Sequence, residues 1–290
     1  MKQPLRQNDA FLADVEAARL NPGSLHLWWL GQSGFLVQWQ DRHLLFDPYL
    51  SDSLTTKYAG TDQPHVRLSE RVVAPERLGF VDVVTSSHNH TDHLDPDTLQ
   101  PLARANPRLR LVCARANLGL AGERSGLDAA QVIGLDPEQE PCGVEFAPFH
   151  VRAVPAAHES LDRDDTGRFR QVGFVVRAGP WTLYHSGDTV LYEGMAERLA
   201  PFGIHLALLP INGRAPERRV AGNLSGCEAA GLARDIGAGL VVPCHYDLFA
   251  FNTATPDEFV GECQRLGQRC RVVAQGERLT LSSVRGIPGK

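Results

Sequence analysis

The chain has 290 residues, of which 43% are hydrophobic and 22% are charged, and its net charge is −5. This composition is typical of a globular enzyme with a substantial core, and the lack of a basic run argues against a nucleic-acid polymer as a partner. No apolar stretch approaches the length of a membrane span, and the N-terminus lacks the apolar segment of a secretory signal.

Six widely spaced cysteines form no C-x-x-C pair. In a chain without a secretory signal they are expected to be reduced thiols, so we predict a cytoplasmic protein that does not associate with membranes. Cys244 adjoins a histidine and could in principle bind a metal. Neighbouring residues of a strand face opposite ways, however, and we expect Cys244 to pack in the core.

The first half of the chain is predicted to begin with a helix and continue with strands. Residues 9–20 carry apolar residues at helical spacing, and Asn21-Pro22-Gly23 would end the helix. Residues 52–75 show no clear period and are predicted to form a loop or a short helical excursion. The other predicted elements are strands over 25–30, 34–39, 43–47, 80–85 and 110–113 and a helix over 97–104.

The second half repeats this alternation of strands and helices. Strands are predicted over 147–155, 171–177, 181–185, 206–211, 241–244, 271–273 and 278–281. Helices are predicted over 195–202, 225–236 and 257–266. Alternation of this kind predicts an α/β fold. Because no linker or low-complexity segment divides the chain, we predict a single domain over residues 1–290.

The segment Ser87–Asp95 is the most informative part of the chain. It places His88, His90, Asp92 and His93 within six positions, directly after a predicted strand. Two histidines separated by one residue lie on the same side of an extended segment. The alternative is a polar loop with chance histidines, but the whole chain has only 11 histidines. The spacing therefore predicts a metal site.

This H-x-H-x-D-H spacing resembles the signature of the metallo-β-lactamase-fold hydrolases. The resemblance requires three further ligands downstream, each after a strand. His158 follows Ala153–Ala157, Asp188 follows a Gly187 turn, and His245 follows Leu240–Cys244. All seven ligand positions of a two-metal site are thus present in the expected order. The resemblance implies an αββα sandwich with the metal site at the sheet edges where the two halves meet.

Other segments resemble the L-ascorbate-6-phosphate lactonase branch of that superfamily. Together they span about residues 28–253, which is nearly the whole chain. The segments are Trp29–Phe35, Asp47–Leu50, Leu209–Arg214, Gly222–Leu224 and His245–Phe249.

The resemblance assigns a role to each ligand. It implies that one or two divalent ions, Mn²⁺ or Zn²⁺, are held in two groups bridged by Asp188. A metal-bound hydroxide would then attack the substrate at neutral pH. Asp92 and His245 are the predicted catalytic residues. The first group would be His88, His90 and His158, and the second Asp92, His93 and His245.

Two carboxylates are predicted to support the ligands from behind. Metal-bound imidazoles usually donate their other N–H to an acceptor, and Asp47 and Asp95 are candidates for that acceptor. Asp47 could equally be a turn residue before Pro48. We predict that His185, three residues before Asp188, is packed or hydrogen-bonded and does not bind metal.

Four residues are candidates for substrate binding. Asn212, Arg214 and Asn223 lie in loops between a strand and a helix, where anions often bind, and an arginine fork matches phosphate or carboxylate. They could equally hold the loop through their own hydrogen bonds. Tyr246 could donate to a substrate oxygen or simply pack.

These observations predict a metal-dependent hydrolase that acts on a small, anionic molecule. The resemblance favours a lactonase for a phosphorylated sugar acid and implies a homo-oligomer. Two alternatives remain. The same ligands serve phosphodiesterases for small phosphodiesters, and a metal-binding protein without catalytic activity would need only the ligands.

Overall fold

The computed structural model describes residues 1–282 of the chain. Its strands are β1 Leu25–Gly31, β2 Gly34–Trp39, β3 Arg42–Phe46, β4 Val83–Ser86, β5 Arg110–Ala114, β6 Val132–Leu135, β7 Gly143–Phe146, β8 Phe149–Pro155, β9 Val172–Ala178, β10 Trp181–His185, β11 Leu206–Pro210, β12 Leu240–Cys244 and β13 Arg278–Leu281. Its α-helices are α1 Asn8–Ala18, α2 Ser53–Tyr58, α3 Pro96–Ala105, α4 Leu118–Ser125, α5 Met195–Leu199, α6 Gly226–Asp235 and α7 Asp257–Leu266.

The strands form two mixed sheets. The first has seven strands in the order β13-β1-β2-β3-β4-β5-β6, and the second has six in the order β12-β11-β10-β9-β8-β7. In the first sheet, β3 to β6 are parallel and the other pairs antiparallel. In the second sheet, β10 to β12 are parallel and β7 to β10 antiparallel. Consequently β8, β10 and β12 all run in the same direction.

Alternation of side chains along each strand explains why the first sheet is covered on both faces. In β1, Leu27 and Trp29 belong to the core between the sheets, whereas Trp28 and Leu30 face the cluster that contains α1, α3 and α4. The same division runs through the other strands from β2 to β5. Both faces therefore bury apolar residues, which requires a helical layer on the outside.

Helices also cover the second sheet. Met195 and Leu199 of α5, Ala229 of α6 and Phe259 of α7 are buried in the same apolar cluster as its strands. The order of layers is helices, sheet, sheet, helices, which confirms the predicted αββα sandwich. No helix within residues 1–282 is long and apolar enough to cross a membrane.

Local signals fix the start of the two helices that flank the ligand loops. Asp95 caps α3 and accepts from the Asp97 backbone N–H, and Pro96 occupies the first turn of the helix. Ser225 and Glu228 form a capping box at the start of α6. The helices predicted at 97–104 and 225–236 are confirmed to within one residue at each end.

One α-helix and two strands between residues 114 and 146 were not predicted from the sequence. These are α4, β6 and β7, whose short apolar stretches give no distinct period. The predicted strand at 271–273 is wrong. Cys270 makes one bridge to Val241 in the second sheet, and Gln275 makes one to Trp29 in the first. The chain therefore crosses from one sheet to the other here and cannot maintain a ladder with either.

The two sheets are in close contact beside the predicted metal loops. Gly187 has φ of +60°, and a Cβ at this position would lie 2.5 Å from Cβ of Ser87. The backbone N–H of Val172 in the second sheet donates to the Ser87 carbonyl at 3.0 Å, a typical hydrogen-bond distance. Ser87 precedes His88 and Gly187 precedes Asp188, so this contact sets the separation of the two loops.

Replacing Gly187 by alanine should therefore destabilise the protein more than its backbone conformation alone would explain. We expect Gly187→Ala to lower the free energy of unfolding by about 2–5 kcal/mol, since overpacking adds to the strain of a positive φ. Gly203→Ala is the matched control because Gly203 has the same φ of +60° and nothing within 4 Å of its Cβ position. Urea unfolding of both variants measures the difference, and equal losses would contradict the close contact.

Candidate metal centre

Each predicted metal ligand follows the C-terminal end of a strand. The loop that carries His88 to His93 leaves β4, and His158, Asp188 and His245 follow β8, β10 and β12. Strands that run in the same direction end at the same edge of a sheet. The topology therefore brings ligands that are up to 157 positions apart in the chain to one place.

The structure brings all seven predicted ligands together in three overlapping groups. Within each group, one potential ligand atom per residue lies within 4.8 Å of the others. The groups are His88, His90 and His158; His88, His93 and Asp188; and Asp92, His93 and His245. The first and third correspond to the two metal positions that the sequence resemblance implies.

Asp188 lies between these two positions. Its Oδ1 is 3.2 Å from Nε2 of His93, and its Oδ2 is 3.1 Å from Nε2 of His245 and 3.6 Å from Nε2 of His158. The carboxylate thus faces histidines of both groups, which is the geometry a bridging ligand needs.

Asp47 orients the ligands of the β4 loop from behind. It is fully buried at the end of β3 and accepts from Nδ1 of His93 at 2.8 Å and from Thr85 at 3.0 Å. The Ser87 hydroxyl also donates to Asp47, and Ser87 Oγ in turn lies 3.0 Å from Nδ1 of His88. Both imidazoles therefore have Nδ1 committed, which leaves Nε2 of each as the metal-binding nitrogen.

His158 is oriented in the same way by a different acceptor. Its Nδ1 lies 3.0 Å from the carbonyl oxygen of Gly222, in the loop before α6. Nδ1–H donation to this carbonyl leaves Nε2 free to face Asp188.

The residues present fit a divalent cation. Nε2 of His88, Nε2 of His93 and Oδ1 of Asp188 are buried and have no hydrogen-bond partner within residues 1–282. An unpaired buried polar atom is costly, and a cation between these atoms would satisfy all three. Imidazole and carboxylate ligands without cysteine suit Mn²⁺, Zn²⁺ or Fe²⁺. Cys244 is buried in the apolar core, as predicted.

Burial and charge divide the histidines into two kinds. Burial lowers the pKa of His88 well below its ordinary value and also lowers the pKa of His158. Burial acts in the same direction on His93 and His245, but the nearby carboxylates of Asp188 and Asp92 outweigh it. The pKa of His93 is therefore raised well above its ordinary value, and that of His245 rises to about 9.

The contacts of Asp95 and His185 indicate structural roles. The Asp95 carboxylate accepts from the hydroxyls of Ser51 and Thr98, both at 2.6 Å. Within residues 1–282 it makes no hydrogen bond to a ligand histidine, unlike Asp47. His185 stacks on Phe46 with ring centroids 4.8 Å apart and donates from Nε2 to a backbone carbonyl. The prediction that His185 is packed is confirmed.

The four predicted substrate-binding residues do not line the cavity above the ligands. Arg214 forms an ion pair with Glu228 outside it. Asn212 is buried and accepts from Nδ2 of Asn223 at 3.1 Å, which fits the loop-holding alternative. Tyr246 stacks on a tryptophan and lines a separate cavity.

The cavity above the metal ligands has a volume of about 480 Å³, and besides five of the predicted ligands it is lined by side chains that had no predicted role. Lys57, Arg124 and Arg219 supply positive charge to its lining. Arg124, from the unpredicted helix α4, also donates to the carbonyl of Asn89 at 2.8 Å and so holds the β4 loop. The lining also contains an aromatic cluster, which consists of Tyr58, His65, Phe249 and Phe251.

No motif in the sequence could have identified these residues. Lys57 and Tyr58 lie in α2, within the segment that has no clear period, and Arg219 lies in a loop between β11 and α6. They become neighbours of the ligands only through the fold.

Comparison with known proteins agrees with this geometry. Residues 42–246 match the model of the β-lactamase superfamily domain. A UPF0173 metal-dependent hydrolase of Opitutus terrae is 31% identical over 259 residues, which is 88% of this chain and 99% of the relative. A second such hydrolase, from Rubrobacter xylanophilus, is 28% identical and covers 89% of this chain and 97% of its own length.

A solved structure shows the same fold. The isothiocyanate hydrolase from Delia radicum gut bacteria superposes with a TM-score of 0.69 at 20% identity, over 89% of this chain and all of the other. The predicted membership of the metallo-β-lactamase-fold hydrolases is confirmed. The chain belongs to the β-lactamase superfamily, within which it is a metal-dependent hydrolase.

Proposed function

We propose that this protein is a lactonase that hydrolyses a small anionic substrate, with the lactone of a phosphorylated sugar acid as the leading class. The observation that carries the proposal is the convergence of seven metal-ligand side chains at a cavity whose lining includes three cationic residues. The resemblance of the sequence to the lactonase branch supports the choice of a cyclic ester over other esters.

The size of the cavity supports a small molecule as the substrate. A volume of about 480 Å³ lies within the range of sites for small ligands. Five of the seven ligands line this cavity, whereas the fully buried His88 and His93 do not. The five are His90, Asp92, His158, Asp188 and His245.

The centre would hold one or two Mn²⁺ or Zn²⁺ ions through the two ligand groups. When bound, such ions supply an acidified water and a Lewis acid for the bond under attack. Asp92 is the more exposed of the two ligand carboxylates, with 16% of its side chain accessible against 4% for Asp188. It is therefore the carboxylate that is more accessible to the attacking water and to the leaving oxygen.

The charged and aromatic walls divide the work of substrate binding. Lys57 and Arg219 would bind the anionic group remote from the reacting bond. The aromatic cluster, in which the rings of Tyr58 and His65 stack 4.1 Å apart, would pack against the carbon skeleton. Arg214 was the sequence-based candidate for anion binding, and Arg219 takes this place in the proposal.

A phosphodiesterase for small phosphodiesters is the second candidate. The same three cations favour it, because a phosphodiester carries negative charge at the reacting centre itself. A panel of lactones and small phosphodiesters, assayed with Mn²⁺ or Zn²⁺, distinguishes the two. Hydrolysis of phosphodiesters alone would reject the lactonase.

Asp188→Asn should reduce hydrolysis of the best panel substrate by at least 100-fold, because the neutral amide cannot bridge two cations as a carboxylate does. Turnover and metal content by elemental analysis are measured together. Asp136→Asn is a matched control, since Asp136 is also fully buried but accepts backbone N–H groups away from the cavity. Full activity with normal metal content in Asp188→Asn would rule out the bridging role.

Metal affinity should rise with pH between about 6 and 8. The raised pKa values of His93 and His245 favour protonated rings in the metal-free protein, and a metal must displace those protons. At pH values below the pKa, each displaced proton makes the metal affinity rise roughly tenfold for every unit by which the pH increases. Calorimetric titration in buffers of different ionisation enthalpy measures the proton release. A metal affinity that is constant over this pH range would contradict the assignment of His93 and His245 as metal ligands.

Arg219→Gln combined with Lys57→Gln should lower kcat/KM about tenfold for a phosphorylated lactone. Each side chain is exposed, so we assign roughly 0.5–1 kcal/mol to each contact. The loss should shrink to less than twofold for the unphosphorylated lactone. Arg214→Gln is the control, because Arg214 comes from the same loop as Arg219 but does not line the cavity. Equal losses with both substrates would show that the cations do not bind the phosphate.

A further inference from the structure

Gln32 is a polar residue beside the metal ligands that neither the predicted ligand set nor the proposed mechanism uses. It lies in the two-residue turn between β1 and β2, where its φ is +48°, and only 1% of it is exposed. A glutamine in a left-handed backbone conformation is uncommon, and a buried side-chain amide is expected to have a specific partner.

The contacts of Gln32 go to one of the two metal positions. Its side-chain Nε2 lies 2.7 Å from Oδ2 of Asp92 and 3.1 Å from Nε2 of His245. Its backbone carbonyl accepts from the backbone N–H of His245 at 2.9 Å. Asp92 and His245 both belong to the group that they form with His93, which corresponds to the second metal position, and to neither of the other groups.

The orientation of the amide is fixed by chemistry. If the amide were turned over, Oε1 would face the Asp92 carboxylate at 2.7 Å, and two acceptors would repel each other. Oε1 is buried without a hydrogen-bond partner within residues 1–282, so only the nitrogen side of the amide sets its orientation.

Asp92 depends on this contact more than the other carboxylates depend on any one donor. Asp47 accepts from Thr85, Ser87 and His93. Within residues 1–282, Gln32 is the only donor to Asp92 apart from the ligand imidazoles. Asp92 borders the open cavity, where its side chain could otherwise turn toward water.

Two opposing effects of Gln32 on metal binding can be compared. Once His245 has lost its proton, the Gln32 N–H competes with a cation for the lone pair of His245 Nε2, and one such hydrogen bond changes affinity by about fivefold. Its hold on Asp92 preorganises a ligand, and loss of such a supporting contact typically weakens binding 10–100-fold. The second effect is the larger.

The geometry assigns Gln32 as a positioning residue for the second metal position, where it acts by orienting Asp92. It sets the affinity of the second position without affecting the first. This inference rests on the metal binding in the proposed function but not on the choice of substrate.

Titration of the metal-free protein with Mn²⁺ or Zn²⁺, followed by calorimetry, tests the inference. Gln32→Leu should weaken one of two binding steps 10–100-fold and leave the other within threefold. His90→Ala, which removes a ligand found only in the first group, identifies the step that belongs to that group. The step weakened in Gln32→Leu must be the other one.

Two further variants separate positioning from a general loss of structure. Gln32→Asn keeps an amide and suits a positive φ, but it is one methylene too short to reach Asp92, so it should show the same selective loss. Gln38→Leu is the matched control, because Gln38 is an equally buried glutamine of β2 whose Oε1 also lacks a partner. It should bind both ions as the wild type does.

Equal weakening of both steps, no weakening, or tighter binding in Gln32→Leu would each overturn the inference while leaving the proposed function intact. A wild-type protein that binds neither metal would overturn both. Thermal unfolding of the metal-free variants, with midpoints close to that of the wild type, shows that the compared proteins are folded.

Discussion

The buried carboxylate of Asp47 is the interaction on which the metal centre depends. A carboxylate removed from water needs hydrogen-bond donors, and the chain provides Thr85, Ser87 and His93 from the adjacent strand and loop. Burial opposes ionisation of Asp47, but donation from His93 and the other neighbours outweighs it and lowers the pKa. Because these donors precede or include metal ligands, satisfying one buried charge also directs two imidazoles toward the same point.

The remainder of the centre follows from the electrostatics of a buried, acidic site. Asp92 and Asp188 lie among histidines, and both carboxylates have lowered pKa values because the attraction of His93 and His245 outweighs burial. In the protein alone, protons on those two histidines balance this charge. A divalent cation can replace the protons and also satisfy the buried nitrogens that lack partners. The same cluster is therefore suited to exchanging protons for a metal ion.

Part of the cavity lining comes from segments of the chain that do not belong to the sandwich layers. The connection from β3 to β4 contributes Lys57, Tyr58 and His65, and the loop before α6 contributes Arg219. Loops of this kind can change without altering the ligands below them, which explains how one metal centre can serve different hydrolases. Cationic and aromatic side chains line the same cavity as the metal ligands.

The sequence by itself determined which side chains are expected to converge at the candidate metal centre, and it determined most of the layers. Closely spaced histidines, strand-to-turn boundaries and apolar alternation are local features, and they predicted the sandwich and the residues that converge at its edge. Only the tertiary structure decided that Arg214 pairs with Glu228 while Arg219 lines the cavity, and that Gln32 contacts Asp92. These contacts join segments distant in the chain, and an arginine or glutamine in a loop has no local property that identifies its partner. The strand predicted at 271–273 is wrong for a related reason. Whether this segment pairs with a sheet depends on the relative positions of the two sheets, which no local sequence feature shows.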